Sequence, residues 1–130
     1  MLKHLSVGFL LITSMIASAQ DFSSLWEGYF SYYNIKDVSQ GNDKIYAASE
    51  NAIFSYDLST NELQTITTIN GLSGETITTI HYSETHQLLI IGYENGLIEV
   101  VFDNDDEVLS VVDILDKETI APNLKRINHF

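Results

Sequence analysis

The chain has 130 residues, no Cys, one Pro and 45% hydrophobic residues, with 18 Asp and Glu against 6 Lys and Arg, a formal net charge of −12. The lack of Cys excludes a disulfide scaffold, a Cys-ligated zinc domain and a thiol enzyme. The charge argues against nucleic acid, which is bound by releasing counterions through Lys and Arg, and the apolar fraction is too high for a disordered acidic tail.

Lys3 and His4 open a short positive region, Ser6 to Ile16 is apolar, and Ala17-Ser18-Ala19 supplies small residues at the −3 and −1 positions of a cleavage site. Residues 1–19 are therefore predicted to be a secretory signal peptide, cut before Gln20. The apolar run is shorter than the ~20 residues that span a bilayer, and no other segment predicts a transmembrane helix. The mature chain, residues 20–130, loses Lys3 and no acid, so five cations face 18 acids, a net −13. Its expected location is the periplasm or the outer-membrane surface.

After the leader, short runs rich in Ile, Val, Thr and Tyr alternate with Asn, Asp, Gly and Ser clusters, the pattern of strands and turns. An aromatic group, Trp26, Tyr29, Phe30, Tyr32 and Tyr33, opens this region and predicts a strand over Tyr29–Tyr33 that packs its rings instead of forming a glycan-stacking platform. Further strands are predicted at Ile35–Val38, Lys44–Ser49, Ala52–Tyr56 and Leu63–Thr67. A second set follows at Ile77–Tyr82, Leu88–Tyr93, Leu97–Phe102 and Val108–Val112. Glu94-Asn95-Gly96 reads as a type I′ hairpin, since Asn-Gly accepts positive φ, with Glu50-Asn51-Ala52 as a weaker copy.

The two sets repeat each other. Ile35–Val38 aligns with Ile77–Ile80 at an offset of 42, and Lys44–Phe54 aligns with Leu88–Ile98 at an offset of 44, the difference falling in the first hairpin loop. A repeat of about 40–50 residues with four strands is the signature of a β-propeller blade. The predicted fold is all-β, an incomplete β-propeller of about two four-stranded antiparallel blades plus the start of a third. The units run about 34–75 and 76–122, and Leu124–Ile127 begins a third at about 123, expected to lack a partner. Because propellers close with four to eight blades, residues 20–130 are expected to be the N-terminal part of a longer propeller domain.

Candidate sites are few. Asp103, Asp105, Asp106 and Glu107 form a dense acidic run of hard oxygen donors, the type calcium takes. Counted from Asp103 as an EF-hand loop, however, the required Gly and Glu are replaced by Val108 and Ile114, so the run reads as a solvated turn. His81 and His86, with Glu84, have a spacing of five, which does not put two imidazoles on one strand face. Ser73 lies in Asn-Gly-Leu-Ser-Gly and not in the elbow of a hydrolase, and no phosphate-cradling loop or His-Glu-x-x-His occurs. No catalytic residue, metal site or cofactor is expected.

Several landmarks fall in order: the leader, Trp26-Glu27-Gly28-Tyr29-Phe30, Asp43-Lys44-Ile45-Tyr46-Ala47-Ala48, Ile53-Phe54-Ser55-Tyr56-Asp57, Ile69-Asn70-Gly71-Leu72-Ser73 and Ile91-Gly92-Tyr93-Glu94-Asn95-Gly96. This order resembles the N-terminal propeller of the PorZ-type proteins of the Bacteroidetes type IX secretion system, from Trp26 onward. The resemblance implies a non-enzymatic cell-surface component of the attachment complex, with other secretion-system proteins and anionic lipopolysaccharide as partners. It carries no residue-level site. A net −13 is a poor electrostatic match for an anionic glycan, so that contact is expected elsewhere in the whole protein, the alternative being a divalent cation that bridges the charges. Asn70-Gly71-Leu72-Ser73 alone also resembles the propeller repeat of two-component regulators, so the alternative is the periplasmic ligand-sensing propeller of a hybrid histidine kinase. A propeller hydrolase or lyase would need an acid–base cluster in further blades.

Overall fold

The computed structural model describes residues 34–103 and 107–130. The leader, the aromatic group from Trp26 to Tyr33, and Asp105 and Asp106 lie outside the described residues. Eight strands follow one another as two meanders: β1 (Asp37–Gly41), β2 (Lys44–Ala48), β3 (Ile53–Asp57) and β4 (Leu63–Ile66), then β5 (Ile77–Ser83), β6 (Leu88–Tyr93), β7 (Ile98–Phe102) and β8 (Val108–Val111). Each set forms a four-stranded antiparallel sheet in sequence order. This is the arrangement of two propeller blades, and no α-helix occurs among the described residues.

The register shows the repeat pair by pair. Asp37 faces Ala48 in the first sheet and Thr79 faces Gly92 in the second, which reproduces the offsets of 42 and 44. The difference of two is the turn itself: β1 and β2 are joined by two residues, Asn42 and Asp43, and β5 and β6 by four, Glu84 to Gln87. After the next hairpin the offset grows to 45, because Ala48 faces Ile53 whereas Gly92 faces Ile98. Ile53 therefore corresponds to Ile98, not to Leu97.

The turns correct one expectation. The type I′ turn is Asn42-Asp43, with φ of +50° and +56° at its two central residues, as a tight hairpin with right-handed strand twist requires. At Glu94-Asn95-Gly96 only Gly96 has positive φ, +93°. There the Gly96 N–H closes onto the Tyr93 carbonyl and the Tyr93 N–H onto Leu97, while the Asn95 side chain accepts from the Leu97 N–H. This is a three-residue hairpin ending in a left-handed Gly, and its extra residue causes the shift to 45. The predicted strand at Ile35–Val38 also moves, to Asp37–Gly41, because pairing with β2 runs up to that tight turn.

Facing pairs decide what is buried. Tyr46, Ala48 and Ile53 of the first sheet meet Ile80, Tyr82, Leu89, Ile91 and Tyr93 of the second in one apolar core. The opposite face of the first sheet leaves Val38, Ile45, Tyr56 and Leu63 exposed, although Phe54 on that face is buried. Between the sheets, a short 3₁₀ turn at Thr68–Asn70 is capped reciprocally: Thr67 Oγ1 accepts from the Ile69 N–H and Asn70 Oδ1 from the Thr67 N–H. Gly71 ends it at φ +104°, and Leu72 then drops into the core.

The blades join along their innermost strands, β1 and β5. An innermost strand pairs on one side only, so every second N–H of β5 points away from its own sheet. Those groups are met by side chains of β1. The Asp37 carboxylate accepts from the Ile80 N–H at 2.9 Å and from Thr79 Oγ1 at 2.7 Å, and Ser39 Oγ accepts from the Tyr82 N–H at 2.8 Å. At the strand's start the Ile77 N–H donates to the Glu50 carbonyl. Leu124–Phe130 forms no strand, but it is not unpartnered: the Ile127 N–H donates to the Tyr93 carbonyl, and Thr78 Oγ1 donates to the carbonyls of Gly92 and Ile127.

Two predictions follow from this seam. Burial pushes the Asp37 carboxyl up, but the hydrogen bonds from Thr79, Ile80 and Val38, with His129 nearby, outweigh it and hold its pKa below the usual value. Its stabilisation is thus present above the ordinary carboxylate range near ~4 and is lost as pH falls through the lower folded value. Asp37→Ala leaves three donors unmatched, two of them across the blade junction, and is expected to lower stability by about 2 kcal/mol at neutral pH; urea unfolding, with less loss in Asp37→Asn, is the check. Gly41→Ala would put a Cβ 1.9 Å from the Tyr82 ring, and thermal unfolding should register a loss of about 1–3 kcal/mol.

Candidate functional site

The strongest concentration of polar chemistry lies where the β1–β2, β5–β6 and β7–β8 turns meet. Tyr46 on β2 and Tyr82 on β5 stack across the blade junction, with ring centroids 5.4 Å apart and planes within 10°. Gly41 makes room for this pair, since any side chain there would occupy the Tyr82 ring. Both hydroxyls converge on one carboxylate. Tyr46 donates to Asp103 Oδ1 at 3.1 Å, Tyr82 donates to Oδ2, and the Asn42 amide reaches the same oxygen at 2.7 Å. The Asn42 N–H in turn donates to Glu84.

This network explains the role of Asp103. Its oxygens already accept from three donors contributed by both blades, which makes it a clamp across the junction. Glu107 is exposed, Asp105 and Asp106 lie outside the described residues, and no group of three or more His, Asp or Glu able to hold a metal occurs among the described residues. His81 is exposed on β5, and His86 sits in the following turn with its Nδ1 3.1 Å from Ser83 Oγ, so the structure does not bring the two together. Ser73 contributes its backbone N–H, which Glu99 accepts, and not a nucleophilic hydroxyl.

Glu99 is a second carboxylate that acts as a structural joint, and it was not singled out from sequence. It is 1% exposed in the middle of β7. Its oxygens accept from the Ser73 N–H, the Tyr93 hydroxyl and Ser110 Oγ. It thereby ties the inter-blade linker to the second blade. The available signal was a lone acid inside the apolar run Leu97-Ile98-Glu99-Val100-Val101. For Asp37 and Ser39 the signal was their spacing of two, which puts both on one strand face.

Beside the tyrosine pair, a cleft of about 630 Å³ opens between the sheets. Ile66, Leu89, Val101 and Val108 supply apolar wall, and Lys44, Ser55, Gln64 and Asn70 supply polar groups. Phe102 and Ile69 stand exposed at its margin.

Burial, and then the neighbouring Asp103 carboxylate, raise the hydroxyl pKa of both Tyr46 and Tyr82. Burial and Glu99 do the same for Tyr93. A raised folded value means that the protonated form is favoured by folding, so this contribution is complete below the ordinary Tyr value of ~10 and fades as pH rises beyond it. Ultraviolet titration is expected to show three tyrosines ionising late, together with unfolding, while Asp103→Asn lets Tyr46 and Tyr82 ionise earlier.

No curated protein matches the chain in sequence. Among solved structures it is similar to PorZ, described as an essential bacterial surface component of the type-IX secretion system of Porphyromonas gingivalis, with 22% identity and a TM-score of 0.63. That likeness covers 72% of this chain and 12% of the other, so the chain spans about an eighth of that protein. It is also similar to an extracellular domain of B. thetaiotaomicron, described as that of a hybrid two component system in one structure, with a TM-score of 0.50 at 20% identity, and as that of a one component system in another, with 0.51 at 17%. The two alignments cover 58% and 65% of this chain and 10% and 11% of those chains. These likenesses establish the propeller fold. Residues 45–130, which span β3 to β8 complete, match the family model described as the TSS9, PorZ, N-terminal beta-propeller domain, and the chain belongs to that family.

Proposed function

We propose that the chain is the N-terminal part of an exported, non-enzymatic propeller of a type IX secretion system surface component. It works through contacts with other proteins of that system and in the delivery of anionic lipopolysaccharide. The observation that carries this reading is the family match over residues 45–130. The leader at residues 1–19 supports export. The repeat units at about 34–75 and 76–122, with a third from about 123, and the exposed Val38, Ile45 and Leu63 on the far face of the first sheet support further blades.

The chemistry is consistent with a binding role. Asp37, Glu99 and Asp103 all act as hydrogen-bond acceptors in structural joints, which gives these acids a scaffolding role. The net charge of −13 after loss of Lys3 directs the anionic groups of a lipopolysaccharide to other parts of the whole protein.

Disrupting the gene in its own bacterium tests the reading. The expected result is that secreted cargo is no longer held at the cell surface and that the full-length gene restores it. Unchanged cargo attachment would overturn the proposal. The sensor alternative predicts instead a membrane helix and kinase domain encoded downstream. Mass spectrometry of the mature protein is expected to place its first residue at Gln20.

A further inference from the structure

The outer edge of the first blade is open. The Asp57 N–H donates to the Glu62 carbonyl, and the register runs on through Ser55–Gln64 to Ile53–Ile66. Glu62, Gln64 and Ile66 therefore bond inward to β3, and the backbone groups of Leu63, Thr65 and Thr67 point away from the sheet. The Thr67 N–H is taken by Asn70 Oδ1. Leu63 and Thr65 have no such cover: among the described residues their outward N–H and C=O groups find no partner. At the blade junction, by contrast, Asp37 and Ser39 meet the outward N–H groups of Ile80 and Tyr82. β4 carries no Pro, Lys or bulge, the devices with which native sheets guard an edge against pairing with another chain.

A cleft runs beside this edge. Gln64, Thr65 and Ile66 line it, and Ile66, Leu89, Val101 and Val108 make its apolar wall, whereas β8, the outer edge of the second blade, contributes Val108 alone. Side chains alternate along a strand. A strand laid against β4 would send every second side chain the way Gln64 and Ile66 point, into the cleft, and the others over the exposed Tyr56 and Leu63. An open ladder gives such a segment affinity, and a pocket for alternate side chains gives it specificity. Charge narrows the segment further. Asp43, Asp57, Glu62, Glu84, Asp103 and Glu107 lie in or beside the four turns at one end of the sheets, where Lys44 is the one Lys or Arg among the described residues. That end, from which β4 starts, attracts cations and repels anions.

We propose that β4 takes up an extended, cationic segment of a partner protein as an added strand of the first blade, with its alternate apolar side chains entering the inter-blade cleft. This deepens the protein-contact part of the proposed function and rests on that reading for the partner's setting.

Fluorescence anisotropy on the full-length protein tests this with a short labelled peptide of alternating valine and lysine, its ends blocked. Saturable binding that weakens with added salt is expected, together with slower amide exchange at 61–67 seen by mass spectrometry. Thr65→Pro removes an outward N–H without touching the ladder to β3, and is expected to weaken binding about tenfold. Leu63→Lys, at a site 59% exposed, sets a like charge on the edge. It is expected to weaken binding by a similar factor, and it keeps the test informative if the proline variant fails to fold. A peptide N-methylated at alternate residues and one with glutamate in place of lysine are both expected to bind about tenfold more weakly. No saturable binding, equal binding of either control peptide, or unchanged affinity in both variants would each overturn the proposal. So would protection of 61–67 that grows with the protein's own concentration and needs no peptide, which makes a second copy the occupant. Gene disruption is read separately. If the peptide fails to bind but disruption still releases cargo from the surface, the edge assignment falls and the secretory reading stands. If the peptide binds as expected and disruption leaves cargo in place, the edge stands and the secretory reading falls.

Discussion

The unpaired edge of β5 sets the terms for the rest of the molecule. A strand with a neighbour on one side only presents a row of N–H groups that must find acceptors or stay wet, and here the core closes over them. Extending the ladder across the blade junction would fuse two sheets into one, which a propeller cannot do. The solution is side-chain acceptors, Asp37 and Ser39, spaced by the strand period so that both reach the same edge. Once that register is fixed, Gly41 falls opposite Tyr82 and must lack a side chain. Tyr82 then stacks on Tyr46, and both hydroxyls arrive at Asp103.

The same logic governs the acids of the interior. Carboxylates are usually buried with a cation, because an isolated charge is costly to desolvate. This chain has few cations to give, with 6 Lys and Arg in total. Glu99 is instead surrounded by an N–H and two hydroxyl donors, and Asp103 by two hydroxyls and an amide. Each donor set draws on more than one strand or on the linker, so each carboxylate acts as a joint between elements. An acidic composition and well-ordered blade junctions are compatible because hydroxyls and N–H groups do the work that Arg does elsewhere.

How legible this was from sequence depends on the range of the interaction. Most strand positions from Lys44 onward and the two-residue loop difference follow from local composition, and they reappear in the register, whereas the first strand shifts from Ile35–Val38 to Asp37–Gly41. The turn types divide instructively: Asn95-Gly96 has the familiar dipeptide, but its hairpin closes over three residues. Asn42-Asp43, with no Gly, takes positive φ twice because only two residues separate Gly41 from Lys44. Nothing local to Asp103 distinguishes a clamp from a solvated loop, since its donors lie 21, 57 and 61 residues away. The metal reading of that run came from residue type alone. Glu99 could have been noticed as a misplaced charge, although its partners could not.

The capped linker has a consequence for how the chain acquires order. Its Ser73 N–H is held by a residue 26 positions downstream, and the acceptors on β1 find their donors 42 and 43 positions later. The first sheet can form its own hairpins early, but its inner face is completed only by the second. Loop-closure entropy must be met before such distant contacts return any stability. A chain emerging from its N-terminus therefore carries an open, hydrophobic half-blade surface until nearly a hundred residues are available. The inner face of the first blade is therefore the surface that stays open while the chain is short, and the second blade is the step that covers it.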